Sequence, residues 1–429
     1  MLQLASCDVL GFDMDHTLCC YDLPAQTELC HQAIAKHMVN DSKYSENLLL
    51  PVLDEDLAYG GGLIFDVRHG ILLKLDKDGY IEHSRLGLKF LTDKEIAHFY
   101  PNRKWDLFEQ VQEGCLSVPS LYHMNDNNFD ISYLTLLSRL KENVLGDKVI
   151  DRCPNTLQDY KEMLQDFNIA LNHSWHPDSY EKGTSHFFEA VKKNPEKYLK
   201  KCPTAVKLWL NDLKGNGKVL FLLTSSHCDY AQFVMSYCLG HDWRNLFDVV
   251  ISKAKKPRFF METHPFRKVD TETLREKENV NKLEKGGWYS QGNCKDLMDL
   301  LKDITGKPCP KITYFGDSLR SDIVPAKKHW SWNTVYVMDA LRIHDQAINI
   351  LHDDEKSLLF SDLWGPILNC QKNGPMSSLF GCIVSSFATI AVPSVEYVAL
   401  QNSSLSFSTF SHAQCTNGFH PGMPDIFCK

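Results

Sequence analysis

Five short apolar runs, DVLGFDMD, VLFLLTSS, DVVISKAKK, KITYFGD and TVYVMD, each end on polar residues, and several are separated by stretches of helical periodicity. Runs of this kind read as parallel strands, which places the chain in the α/β class. In GNCKDLMDLLKDITG, Leu297, Leu300, Leu301 and Ile304 recur at helical spacing and Gly306 supplies a stop, so a crossover helix is expected there. Between the first and second runs lie residues 18–217, far more than a crossover needs. That interval must hold a separate inserted unit.

Inside the insertion, GLIFDVRHGILLKLDKDGYIEHSRLGL reads as two or three strands with turns at His69-Gly70 and Asp78-Gly79. Residues 131–144, 156–175 and 203–214 read as helices. The charged TETLREKENVNKLEKGG reads as a solvated excursion. Residues 373–395 carry no charge, but two serine pairs, a glycine in their apolar part, a threonine and Pro393 make them too polar for a spanning helix, so two buried strands are expected. The expected domains are therefore residues 1–17 with 218–366 as an α/β core, residues 18–217 as an α+β cap, and residues 367–429 as a segment packed on the core with a loose tail.

Composition narrows the chemistry. With 429 residues, 43% of them hydrophobic, the chain can bury a sizeable core, and its formal charge of −8 argues against a general nucleic-acid or membrane-surface binder. Any anionic ligand must then be small and met locally. Fifteen cysteines, an odd number without a C-x-x-C pair, read as reduced thiols of a cytoplasmic protein. No basic segment precedes the first apolar run, so a secretory signal is not expected.

The first run ends in GFDMDHTL, with Asp13 and Asp15 one residue apart. In an open α/β sheet, ligands bind beyond the carboxyl ends of the strands. Two carboxylates so close repel unless a cation lies between them, and hard oxygen ligands suit Mg²⁺ holding a phosphate. A carboxylate can also attack phosphorus while a neighbouring acid protonates the departing oxygen. A calcium loop of the EF-hand kind is excluded, because Leu18 stands where glycine is needed and Pro24 where the bidentate acid belongs. Three later runs end in the remaining parts of a phosphoryl-transfer site. Thr224 and Ser225 can donate to phosphoryl oxygens, Lys255 or Lys256 can neutralise charge, Asp317 can complete a metal shell, and Asp322 can support it.

In this order FDMDHT, FLLTSS, AKKP and YFGDSLRSD resemble the four motifs of the haloacid dehalogenase superfamily of phosphatases, with a cap inserted between the first and second. More narrowly, GLIFDVRHGILLKLDKDG, KVLFLLTSSHCDY and KKPRFF resemble the cytosolic purine 5′-nucleotidase family, and the likeness spans about residues 10–364. The resemblance implies a Rossmann-like core with a large cap inserted after the first strand. It implies Asp13 as nucleophile, Asp15 as general acid and base, Thr224 and Ser225 as phosphoryl-binding residues, and Lys256, which precedes Pro257, as the motif lysine. Mg²⁺ would be held by the Asp13 side chain, the Asp15 carbonyl and Asp317, with Asp322 in support. The implied substrate is a nucleoside monophosphate or related small phosphoester, with no nucleic-acid or membrane partner; a homo-oligomer is compatible with the resemblance.

The cap departs from that family. YKEMLQDFNIALNHSWH is similar to a family helix that carries an arginine and an aspartate toward the nucleobase, but Asn168 and Asn172 stand at those positions. Asn125 and Phe129 in YHMNDNNF are the counterparts of the family's asparagine and base-stacking phenylalanine. The expected activity is Mg²⁺-dependent phosphohydrolysis through an aspartyl-phosphate. A phosphotransferase that delivers phosphate to a nucleoside, and a metal-retaining binding or scaffold protein, are the alternatives.

Overall fold

The computed structural model describes residues 1–42, 44–52, 61–145, 157–343, 363–368, 378–402, 404–410 and 417–422. The chain forms two compact units: Met1–Tyr21, Leu199–His344 and Val384–Met423 make the first, and Asp22–Tyr198, Asp345–Ile383 and Pro424–Lys429 the second.

The first unit is built on nine strands: β1 (Val9–Phe12), β2 (Val219–Leu223), β3 (Val249–Ser252), β4 (Phe266–Val269), β5 (Glu276–Val280), β6 (Trp288–Gln291), β7 (Ile312–Gly316), β8 (Asn333–Val337) and β9 (Ile390–Val392). They lie in the order β5-β4-β6-β3-β2-β1-β7-β8-β9. From β6 to β9 every neighbouring pair is parallel, while β4 and β5 form an antiparallel edge. All residues of β1, β2 and β7 are buried, as expected of central parallel strands covered on both faces. The five apolar runs thus form adjacent or near-adjacent strands of one α/β sheet.

Local signals explain much of this unit. The helix Cys294–Thr305 begins where the Asn293 side chain accepts from the Asp296 N–H and ends at Gly306, which adopts a left-handed conformation. Its buried Leu297, Leu300 and Leu301 join a core containing Val9, Phe221, Ile251 and Tyr314. Gly11 is required by close approach: a Cβ there would meet the Phe221 ring at 2.0 Å. The helix Thr204–Gly215, expected within the insertion, lies in the first unit; Val206, Leu210 and Leu213 share its buried face. Trp209 also meets the Phe12 and Phe315 rings edge-on, with centroids 6.0 Å away in each case. The insertion consequently ends at Tyr198 rather than residue 217.

Two expectations need correction. TETLREKENVNKLEKGG contains β5, which pairs with β4 at the sheet edge although its central residues are exposed. Alternating charge did not prevent pairing because an edge strand buries little side-chain surface. Within 373–395, the described residues form one helix, Leu379–Phe387, and one strand, β9, not two strands. Among the described residues, no helix is long and apolar enough to cross a membrane.

The second unit contains a six-stranded antiparallel sheet, in the order Lys89–Phe90, Ile81–Leu86, Ile71–Leu75, Ile64–Asp66, Tyr122–Met124 and Ser117–Val118. Turns at Gly70 and Gly79 use φ of 65° and 84°, which glycine adopts without a Cβ penalty. The helix Leu23–Asn40, capped by Asp22 accepting from the Ala25 N–H at 3.2 Å, packs against Asp130–Leu145 and Leu157–Trp175. Buried Asp66 is satisfied by Arg68, the Trp105 indole N–H at 2.9 Å and the Tyr100 hydroxyl at 3.2 Å.

Candidate active site

Four adjacent parallel strands, β3, β2, β1 and β7, deliver the motif residues to one edge of the first unit's sheet. After β1 the ladder continues through the Asp13 N–H, which donates to the Phe315 carbonyl at 2.9 Å. The chain then turns tightly: Leu18 and Cys19 N–H groups donate to the Met14 carbonyl, and His16 takes φ of 54°. This turn places the Asp15 carboxylate between two hydroxyls. Tyr21 Oη donates to Oδ1 and Ser226 Oγ to Oδ2, both at 2.7 Å.

Lys256 occupies the centre of the carboxylate group. Its Nζ is 2.8 Å from Asp13 Oδ1 and 2.6 Å from Asp322 Oδ1. The loops after β2 and β3 are laced together: Ala254 N–H donates to the Thr224 carbonyl, Lys253 N–H to the Ser226 carbonyl, and Lys256 N–H to Ser225 Oγ. Thr224 Oγ1 accepts from the Ser226 N–H at 3.0 Å, which leaves its own hydroxyl proton free for a ligand oxygen. Of the two candidate lysines, Lys255 is exposed and Lys256 has a buried side chain.

Asp317 follows β7, and Asp322 lies in the short π-helical turn Leu319–Ile323. Tyr314 Oη donates to Asp322 Oδ1 at 2.8 Å. Gly316 leaves the necessary room, since a Cβ there would lie 2.4 Å from Asp322 Cβ. Gly316→Ala is therefore expected to displace Asp322 and lower kcat by about 10²-fold, with circular dichroism showing a folded protein; undiminished kcat would refute the spatial constraint.

One carboxylate oxygen from each of Asp13, Asp317 and Asp322 lies within 4.8 Å of the others. Burial, with repulsion from Asp15, pushes the Asp13 carboxyl upward; burial, with repulsion from Asp13 and Asp322, does the same to Asp317; and burial with Asp13 pushes Asp322 up to about 6 despite the adjacent Lys256. One ammonium cannot neutralise three buried carboxylates. Asp322 Oδ2 also has no hydrogen-bond partner. An all-oxygen, electron-rich group with an orphaned buried oxygen fits a hard divalent cation such as Mg²⁺.

Asp13, Asp15, Thr224, Ser225, Lys256, Asp317 and Asp322 all belong to the first unit. Asn125, Phe129, Asn168 and Asn172 belong to the second. Asn125 is buried, with its backbone bonded to Leu63 and Gly62. Phe129 meets Trp175 edge-on at 5.8 Å. Asn168 and Asn172 are exposed on Leu157–Trp175, four residues apart on one helix face.

Sequence reasoning missed Tyr21, Ser226 and Tyr314. Ser226 is the last residue of the TSS run already singled out, so adjacency was an available signal. Tyr21 and Tyr314 gave none, because an aromatic residue near a strand end is ordinary core until its hydroxyl has a partner.

The model of the 5′ nucleotidase family matches residues 1–363. The chain is 34% identical to human 5′-nucleotidase domain-containing protein 1 over 454 aligned positions, covering 98% of this chain and 96% of that protein. The Bos taurus protein of the same name is 34% identical over 446 positions, with the same coverage. Identity to 5′-nucleotidase domain-containing protein 2 of Rattus norvegicus is 28%, over 81% of this chain and 60% of that protein. A family match across most of the chain and identity along nearly its full length lead to one assignment: this chain belongs to the 5′ nucleotidase family.

Proposed function

We propose that the protein is a Mg²⁺-dependent phosphohydrolase that removes phosphate from a nucleoside monophosphate or related phosphoester through an aspartyl-phosphate on Asp13. The observation that carries this reading is the different setting of the two motif aspartates. Asp13 touches the Lys256 ammonium, whereas the direct partners of Asp15 are the neutral hydroxyls of Tyr21 and Ser226. Lys256 favours the ionised nucleophile. Burial pushes both carboxyls upward, but only Asp13 has an ammonium in direct contact to oppose it, so Asp15 is the better placed of the two to give and take a proton.

In the first step an Asp13 oxygen forms a bond to phosphorus as the ester P–O bond breaks, and Asp15 gives its proton to the departing oxygen. In the second, Asp15 takes a proton from water as that water attacks phosphorus, releasing phosphate and regenerating the Asp13 carboxylate. Lys256, Thr224 and Ser225 bind and orient the phosphoryl oxygens. Mg²⁺ held by Asp13 and Asp317, with Asp322 in support, would neutralise charge on the phosphoryl group.

The deciding experiment is a screen of nucleoside monophosphates and other phosphoesters with Mg²⁺, using Asp13→Asn as the control. Phosphate release that depends on Asp13 supports the reading. No substrate hydrolysed faster than by the control would overturn it.

Activity toward inosine and guanosine monophosphates is expected to be weak or unselective relative to pyrimidine nucleotides. Two asparagines replace an arginine and an aspartate, so two charge-assisted hydrogen bonds become neutral ones. At about 1 kcal/mol each, discrimination falls roughly 30-fold. Introducing Asn168→Arg and Asn172→Asp together is expected to raise kcat/KM for inosine and guanosine monophosphates over pyrimidine nucleotides. A strong wild-type preference for those two purines would contradict this.

A further inference from the structure

A cavity of about 410 Å³ lies in the first unit where β3 and β6 begin, at the sheet edge opposite Asp13. Lys214, Arg244 and Lys285 line it, together with Asp248 and Trp288. Three cations thus share one cavity with a single carboxylate, in a chain whose formal charge is −8.

That carboxylate is itself occupied. Asp248 is 3% exposed and its Oδ2 accepts from the Leu220 N–H at 2.9 Å. Its Oδ1 faces both Lys285 Nζ, at 3.3 Å, and Lys214 Nζ, at 3.9 Å. Lys214 is further anchored by donating to the Asn245 carbonyl at 2.7 Å. Asp248 therefore lies beside two ammonium groups while neutralising only one charge. The Arg244 guanidinium lies 5.8 Å from the centroid of the Trp288 ring, and among the described residues it has no carboxylate partner. Trp288 is buried and its indole N–H donates to Ser252 Oγ at 3.0 Å, so the ring beside the guanidinium is fixed.

We propose that this cavity is a second binding site, distinct from the carboxylate centre, for the phosphate dianion of a small molecule. The surplus of two positive charges matches a dianion. A concave wall that gathers one sign of charge concentrates counter-charge, and a guanidinium without a carboxylate partner can present its paired N–H groups to phosphate oxygens. None of the lining groups takes part in the reaction proposed above, so the inference stands independently of it.

The test uses full-length Asp13→Asn protein, so that a phosphoester probe is not consumed. Inorganic phosphate and adenosine monophosphate are titrated separately at constant ionic strength, with binding followed by calorimetry and tryptophan emission. Saturable binding is expected, with an emission change that Trp288→Phe removes. Adding Arg244→Ala and Lys285→Ala is expected to weaken one binding component by at least about tenfold. Circular dichroism checks that the variant remains folded. Tighter binding of the nucleotide would identify a phosphoester as the occupant, and equal binding would identify phosphate itself. Absence of saturation through the millimolar range, an identical response to chloride, or a variant that keeps every binding component would overturn the proposal.

Discussion

Asp13→Asn is expected to lower kcat by more than the roughly 10²–10⁴-fold associated with losing acid–base assistance alone, because it removes the nucleophile. Asparagine is nearly isosteric, but its amide offers phosphorus no anionic oxygen. It also separates Lys256 from one of its two carboxylate partners, leaving the 2.6 Å contact with Asp322, so the side chains should stay close to their present places. Asp15→Asn is expected to lose less, since the attacking carboxylate survives and water or a good leaving group can partly replace the proton donor. Single-turnover phosphate release and mass detection of a phosphorylated Asp13 peptide separate the two variants. Wild-type turnover by pure Asp13→Asn protein would exclude the covalent route.

Withdrawing divalent cations with a chelator is expected to stop turnover, and Mg²⁺ to restore it. The same carboxylates make a prediction for stability with a definite sign. Asp322 is pushed from the ordinary aspartate value of 3.8 up to about 6, first by burial and then by Asp13. A raised folded-state value means that the folded protein binds more protons than the unfolded chain across that window, so metal-free stability falls as pH rises from about 3.8 to 6. Above it the cost is fully present, and Mg²⁺ should relieve it. The Tm gain on adding Mg²⁺ should therefore be larger at pH 7.5 than near pH 5. Asp317→Asn should raise the metal-free Tm by removing one of three crowded carboxylates, yet abolish most activity and most of the Mg²⁺-dependent Tm gain. Activity and stability moving together in this variant, or a Tm unaffected by Mg²⁺, would show that the group holds no cation.

The parts of this protein legible in its sequence are those whose signals are local. A strand buried on both faces must be apolar along its whole length, so β1, β2, β3, β7 and β8 stood out with their terminal polar residues. The helix Cys294–Thr305 was equally visible, because its leucine spacing and the stop at Gly306 lie within one short window. Leu379–Phe387 reads as strand for the converse reason: an uncharged run whose apolar residues come in one block followed by Ser385-Ser386 marks neither a period of two nor one of 3.6, and length alone does not separate helix from strand. β5 was hidden by charge that an exposed edge strand tolerates.

The sequence by itself determined which chemical groups terminate the central strands. Only the tertiary structure decided how those groups meet. Ser226 Oγ reaches Asp15 across 211 residues of chain, Lys256 Nζ bridges Asp13 and Asp322, and Thr204–Gly215 joins the first unit rather than the insertion that precedes it. No local pattern encodes such pairings. They follow from the parallel register of β3, β2, β1 and β7, which brings distant loops to one edge, and from apolar faces that bury themselves wherever a complementary surface lies.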